Sequence, residues 1–161
     1  MDALRSLGRI LAMVVLLVLL TFSISWYSSG GWHCLTPSAK LLGQTRHVRD
    51  SVFATLDGED AFHVFVCGYP AQLGLLDAFA RMGASAIPVL RRHLTSERRE
   101  LTIASILQVL DEMQFTRTYN VRADSALLGS AHRAVARIEN PMYYARAAAA
   151  LRRIESGPPP R

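Results

Sequence analysis

SERRELTIASILQVLDEM, residues 96–113, is the stretch on which the fold turns. Ile103, Ile106, Leu107 and Leu110 recur at i, i+3, i+4 and i+7, with Met113 one turn further on, which is the period of one face of an α-helix. Ser96 is placed to cap this helix, and Glu97 and Glu100 fall where a negative charge complements the N-terminal end of the dipole. Just upstream, Ile87, Leu90 and Leu94 form a second apolar face, with Ser85 as its expected cap and Pro88 tolerable in its first turn. The two stripes lie too close in sequence for anything but an antiparallel hairpin.

The same grammar extends in both directions. Leu75, Leu76, Phe79 and Met82 line a helix that Gly83 is placed to end as its C′ residue. Pro37 to Leu56 carries a stripe of Leu41, Leu42, Val48, Val52, Phe53 and Leu56, which Asp57-Gly58 terminates. Phe62 to Cys67 is open: its β-branched and aromatic content suits an extended piece, whereas Glu59 and Asp60 ahead of it suit a helix start. On the C-terminal side, residues 114–122 read as a loop. Asp124 then caps a helix that turns Leu128, Ala131, Val135 and Ile138 inward. Asn140-Pro141 is a cap followed by proline at the first helical position. The helix it opens presents Tyr144, Ala147, Ala148, Leu151 and Ile154, which makes Tyr144 a core residue and leaves Tyr143 as a candidate interface aromatic. Gly157 and three prolines stop it, and residues 157–161 form a Pro-rich tail.

These hairpins resemble HEAT repeats. Ser85-Ala86-Ile87-Pro88-Val89-Leu90-Arg91-Arg92-His93-Leu94 is similar to the first helix of that family, of the type A-x-P-x-L, and Ile103 to Leu110 serves as the second. Leu75 to Gly83 and Ala145 to Ile154 resemble further second helices. Phe79 to Leu107 spans roughly 28 positions and Leu107 to Leu151 roughly 44, against full repeats of about 40–47, so the array is degenerate. A plain helical bundle shares much of this patterning. The resemblance covers residues 70–154. It implies binding rather than catalysis: such domains act as scaffolds through a face lined by successive second helices. Two or three repeats offer only a small groove, suited to an extended peptide or one partner helix.

A different signal occupies the N-terminus. Arg5 and Arg9 precede an apolar run from Ile10 to Leu20, which continues more weakly to Trp26 and Tyr27. As a helix, Ile10 to Tyr27 measures roughly 27 Å against a hydrocarbon core of about 30 Å. The two arginines sit on the cytoplasmic side of such a span, and Trp26, Tyr27 and Trp32 form an aromatic belt at the far interface. Residues 1–27 are therefore expected to be an uncleaved signal anchor that places the body outside the cytoplasm, as in a bacterial periplasm. A cleaved signal and a secreted body is the competing reading, since the strongly apolar core is short.

Residues 28–69 then supply a juxtamembrane linker, led by Ser28-Ser29-Gly30-Gly31, and a first helix. Residues 70–156 form the repeat domain, small enough for one modest core. The whole is expected to be all-α: a single transmembrane helix followed by a small HEAT-like hairpin array.

The chain carries a formal charge of +5 from 18 basic and 13 acidic residues, and Lys40 is its one lysine. The arginines form the candidate partner surface: Arg91, Arg92, Arg98 and Arg99 around the central turn, and Arg133, Arg137, Arg146, Arg152 and Arg153 in the next hairpin, with Tyr143 beside them. A protein partner within a larger membrane assembly is the use this suggests, and contact with anionic lipid headgroups is a second. The compartment argues against nucleic acid.

Cys34 and Cys67 are the only cysteines. In an oxidising compartment they read as one disulfide, closing a loop of about thirty residues and contributing ~3 kcal/mol. The alternative is an exported metal- or thiol-dependent protein using His33, Cys34, His63 and Cys67, whose spacing departs from the paired ligands of structural zinc sites. His47, His93 and His132 each neighbour other helix-surface residues and read as structural. Asp57, Glu59 and Asp60 lack the ligand spacing of a calcium loop and read as a polar turn. No nucleophile elbow, phosphate-binding loop or cofactor motif occurs, so no catalytic, metal or cofactor residue is assigned.

Overall fold

The computed structural model describes residues 13, 15, 41, 43–67 and 73–157. Arg5, Arg9, Trp26, Tyr27, Trp32, His33 and Cys34 lie outside these residues, as do residues 158–161 of the tail. Seven α-helices make up the body: α1 (Arg46–Phe53), α2 (Gly58–Cys67), α3 (Leu73–Arg81), α4 (Ile87–Ser96), α5 (Glu100–Thr116), α6 (Ser125–Val135) and α7 (Pro141–Ser156). Short 3-10 turns occupy Gly83–Ala86 and Val121–Ala123, and no strand occurs among the described residues. The chain is all-α. Among the described residues no helix is long and apolar enough to cross a membrane.

The helices sort into two layers by alternation. α1, α3, α5 and α7 pack in succession as one layer; α2, α4 and α6 pack in succession as the other. The pairs α2–α3, α4–α5, α5–α6 and α6–α7 bridge the layers, and the 3-10 turn at Gly83–Ala86 packs on both α3 and α4, so every second helix along the chain is a neighbour within its own layer. The α5–α7 pair is the most extensive contact, and α5 lies at the centre. That position explains why α5 is buried without a break from Thr102 to Leu107, well beyond its leucine–isoleucine stripe. Ala104 and Ser105 are small enough to let neighbouring helices approach from the sides, and the Ser105 hydroxyl is returned to the Leu101 carbonyl at 2.8 Å.

One apolar cluster runs from Leu41 to Ile154, so α1 and α2 share a core with the later helices. Its N-terminal half is aromatic. Phe79 of α3 meets Phe53 of α1 at 6.1 Å, Phe62 of α2 at 6.3 Å and Phe65 of α2 at 5.3 Å, all tilted. Such pairs contribute about 0.5–1.5 kcal/mol each beyond the area they bury.

One open segment is resolved and several local expectations are corrected. Phe62 to Cys67 is helical: Asp57 caps α2 by accepting the Asp60 N–H at 2.8 Å, and both phenylalanines of the helix are buried. The first helix does not run from Pro37 to Leu56. A turn at Gly43 and Gln44 precedes it, α1 begins at Arg46, and Val48 is 38 % exposed. Ser85 does not cap α4; it lies inside the 3-10 turn, and its hydroxyl bonds to the Met82 carbonyl. Ser96 does not cap α5 either, because it is the last residue of α4 and bonds back to the Arg92 carbonyl. The α5 helix continues through Thr116, where a loop was expected. Its buried Gln114 accepts the Arg122 N–H at 3.0 Å and so organises the chain that follows.

Tyr144 is not core. It is 49 % exposed, while Tyr143 packs against the apolar cluster. Along α7 the sequence Tyr143, Ala147, Ala150, Ile154 is the face pressed inward. In α6, likewise, Leu127 is buried and Leu128 only half-buried.

Other expectations stand. Asp124 caps α6 through the Leu127 N–H at 2.9 Å, and Asn140 caps α7 through Met142 and Tyr143. Gly83 follows α3 at φ +57°, and a Cβ there would fall 2.7 Å from the Thr118 carbonyl oxygen.

Candidate partner-binding surface

The connection between α4 and α5 is three residues long, Glu97-Arg98-Arg99, and it is built by one carboxylate. Glu97 Oε1 accepts the backbone N–H groups of Arg98 and Arg99, each at 2.9 Å, and the Arg99 guanidinium reaches Oε2 at 3.1 Å. Burial opposes ionisation of Glu97, but the Arg99 side chain and these backbone donors outweigh it and hold its pKa below the usual value.

The next hairpin clasps this turn from outside. Arg137, just past the end of α6, donates to the carbonyls of Leu94 at 2.6 Å and Thr95 at 3.0 Å, the last carbonyls of α4. In return, Glu100 at the start of α5 accepts the N–H groups of Glu139 at 2.7 Å and Asn140 at 3.1 Å. A shallow cavity of about 470 Å³ opens beside the clasp, lined by Thr95, Ser96, Glu97, Arg98, Ile103 and Arg137.

The arginines read from the sequence divide by use. Arg91 bonds Asp124 at 2.6 Å, on a carboxylate that also accepts the Tyr119 hydroxyl at 2.8 Å. Burial works against ionisation of Asp124, yet the Leu127 N–H, the tyrosine and the arginine lower its pKa, while the same bond raises that of Tyr119. Arg92 pairs with Glu59 of α2, and Arg153 of α7 holds Asp111 of α5 at 2.6 Å. Together with Arg99 and Arg137, these side chains tie the fold to itself. Arg133 is exposed and touches Ser130 at 3.2 Å. Arg98, Arg146 and Arg152 are exposed and make no ion pair among the described residues. Sequence proximity thus grouped arginines that the fold uses differently.

His93 is half-buried and stacks on Phe62 at 3.8 Å, with Glu59 Oε2 at 3.3 Å; burial first, then the neighbouring Arg92, lowers its pKa. His132 is exposed and meets Glu155 at 2.7 Å, and His47 is exposed on α1. His63 is exposed on α2, and Cys67 at the end of that helix is half-buried. Among the described residues no group of three or more His, Cys, Asp or Glu side chains is placed to hold a metal ion.

Two features escaped the sequence reading. Asp50 of α1 pairs with Arg81 of α3 at 2.5 Å and Arg46 with Asp77 at 3.5 Å, and burial, with Asp77 acting beside it, raises the pKa of Glu112 of α5. Ion pairs therefore join α1 to α3, and Asp111–Arg153 joins α5 to α7. Second, Phe115 is 81 % exposed beside a groove between the C-terminal ends of α5 and α7. Its signal was present, since Phe115 falls off the Ile103–Met113 stripe. No protein-family model, curated protein or solved structure matches the chain.

Proposed function

We propose that this protein is a membrane-anchored, HEAT-like adaptor, an accessory subunit that holds a protein partner within a larger membrane assembly outside the cytoplasm. The observation that carries the reading is the two-layer alternation of α1 to α7, in which each helix packs on the next but one. Stacked helical hairpins have that order, and they present an extended outer surface in place of an enclosed catalytic cavity. Arg98, Arg133, Arg146 and Arg152 face solvent on that surface and are free to meet an acidic partner.

The anchor rests on the apolar run from Ile10 to Leu20 and its flanking Arg5, Arg9, Trp26, Tyr27 and Trp32. Met13 and Val15 of that run are helical and exposed, not packed into the body, which supports the same reading. In this proposal Cys67 and the chain's one other cysteine, Cys34, form a disulfide. That bond clips the juxtamembrane stretch to α2 and belongs to an oxidising compartment.

The test is a mild-detergent pull-down of the tagged full-length chain, with intact masses of everything recovered. A full-length chain arriving with one set of membrane subunits, lost on charge reversal of Arg98 and Arg152, is the expected result. A chain shortened to begin near Trp26 and arriving alone overturns both anchor and adaptor.

A further inference from the structure

The groove between α5 and α7 has Asp111, Phe115, Arg117, Arg153, Ser156 and Gly157 among its lining residues and holds about 440 Å³. Three features set it apart. Phe115 forms its wall and is the most exposed large apolar side chain among the described residues. Leaving an aromatic ring in water costs free energy that burial against a partner recovers, and aromatic side chains anchor protein interfaces more often than most.

The charges of the groove do not cancel. Asp111 is neutralised on one oxygen by both Nε and Nη2 of Arg153, at 2.7 and 2.6 Å. Arg117 is exposed and has no ion pair among the described residues. Arg122 stands at the rim, where it donates to the Gly157 carbonyl at 2.9 Å and makes no ion pair among the described residues. The groove therefore presents an apolar wall beside uncompensated cations.

Its size decides between ligands. A cavity of this volume takes a few side chains, and the small end of the range for binding sites begins at about 300 Å³. A bilayer surface meets a broad basic face with several inserting side chains, whereas a concave slot with one aromatic and a paired acid suits a single segment of chain. We infer that the α5–α7 groove docks a short acidic segment of the partner protein, with an apolar side chain of that segment against Phe115 and a carboxylate on Arg117. The inference rests on the adaptor reading above and adds to it the surface and the chemistry of contact.

The experiment places the photoreactive residue p-benzoylphenylalanine at position 115 of the full-length chain, or at the exposed Ala126 of α6 as control, and irradiates native membranes. The cross-linked segment is identified by mass spectrometry, synthesised, and titrated against full-length wild type, Phe115→Ser and Arg117→Asn in detergent. Asn is chosen because Arg117 has φ +61°, a conformation that asparagine tolerates. Phe115 is outside the core, so Phe115→Ser leaves the fold intact.

The expected result is cross-linking from position 115 and not 126, to an acidic segment carrying an apolar residue, whose peptide binds either variant at least tenfold more weakly. Capture of a partner that cross-links only at 126, or a peptide that binds all three proteins alike, overturns the groove and leaves the adaptor reading standing. Cross-linking to phospholipid alone overturns the peptide as occupant. Failure of the wild type to retain any partner overturns the adaptor reading and the groove with it.

Discussion

Glu112 and His93 respond to pH in opposite senses. Burial, and then the charge of Asp77, raises the pKa of Glu112 above the ordinary carboxylate value of about 4.5, with Arg81 acting the other way. The folded state thus holds this proton more tightly than the unfolded chain does. Its contribution is present below about pH 4.5 and is lost as pH rises through the folded value. Glu112→Gln keeps the size of the side chain and removes the titrating charge beside Asp77. It is expected to raise stability slightly at neutral pH, by less than about 1 kcal/mol for a half-exposed group, with the advantage vanishing in acid. Thermal melts of both proteins across pH check this. His93 is the reverse case. Its lowered pKa means the neutral ring is the form that stacks on Phe62, so stability is lost as pH falls from the unfolded value of about 6.5 through the folded one. His93→Phe should flatten that part of the profile.

At the scale of elements, the caps and turns make separable contributions. Asn140→Ala removes the acceptor for the Met142 and Tyr143 N–H groups and is expected to cost about 1 kcal/mol, measured by denaturant unfolding. Gly83→Ala should cost more than the ~1–2 kcal/mol of a left-handed residue, because the new Cβ also meets the Thr118 carbonyl. The clasp between successive turns is a two-way device, Arg137 on the carbonyls of α4 and Glu100 on the amides ahead of α7. Arg137→Ala is expected to cost about 1.5–3 kcal/mol, the range for charged hydrogen bonds. The double variant with Glu100→Ala should fall short of the sum of the two, since both hold the same pair of turns. Additive losses would show that the two halves of the clasp act independently. Caps such as Asp124 and Asn140 were legible in the sequence because a cap is decided within four residues. Ser85 and Ser96 were misread because a serine serves equally well inside a 3-10 turn or at the end of a preceding helix.

For the molecule as a whole, Phe79 is the residue on which three helices meet. Phe79→Ala should lose about 3–5 kcal/mol and loosen α1 and α2 ahead of the C-terminal helices, which hydrogen exchange can resolve. The all-helical class, the positions of α4 to α7 and most of the core were determined by the sequence itself, through apolar residues at helical spacing and caps beside them. Those signals act over one or two turns. The rest was decided by tertiary contact between residues far apart in the chain. Asp50 and Arg81 are 31 positions apart, and Arg137 and the Leu94 carbonyl are 43. Which of Tyr143 and Tyr144 turns inward depends on how α7 rolls against α5, and the helical state of Phe62–Cys67 on the aromatic core waiting for it. The division of arginines into fold-tying and solvent-facing is of the same kind. A helix sequence states that one side will be buried; only the packing of its neighbours chooses the angle at which it is buried and what the remaining side presents.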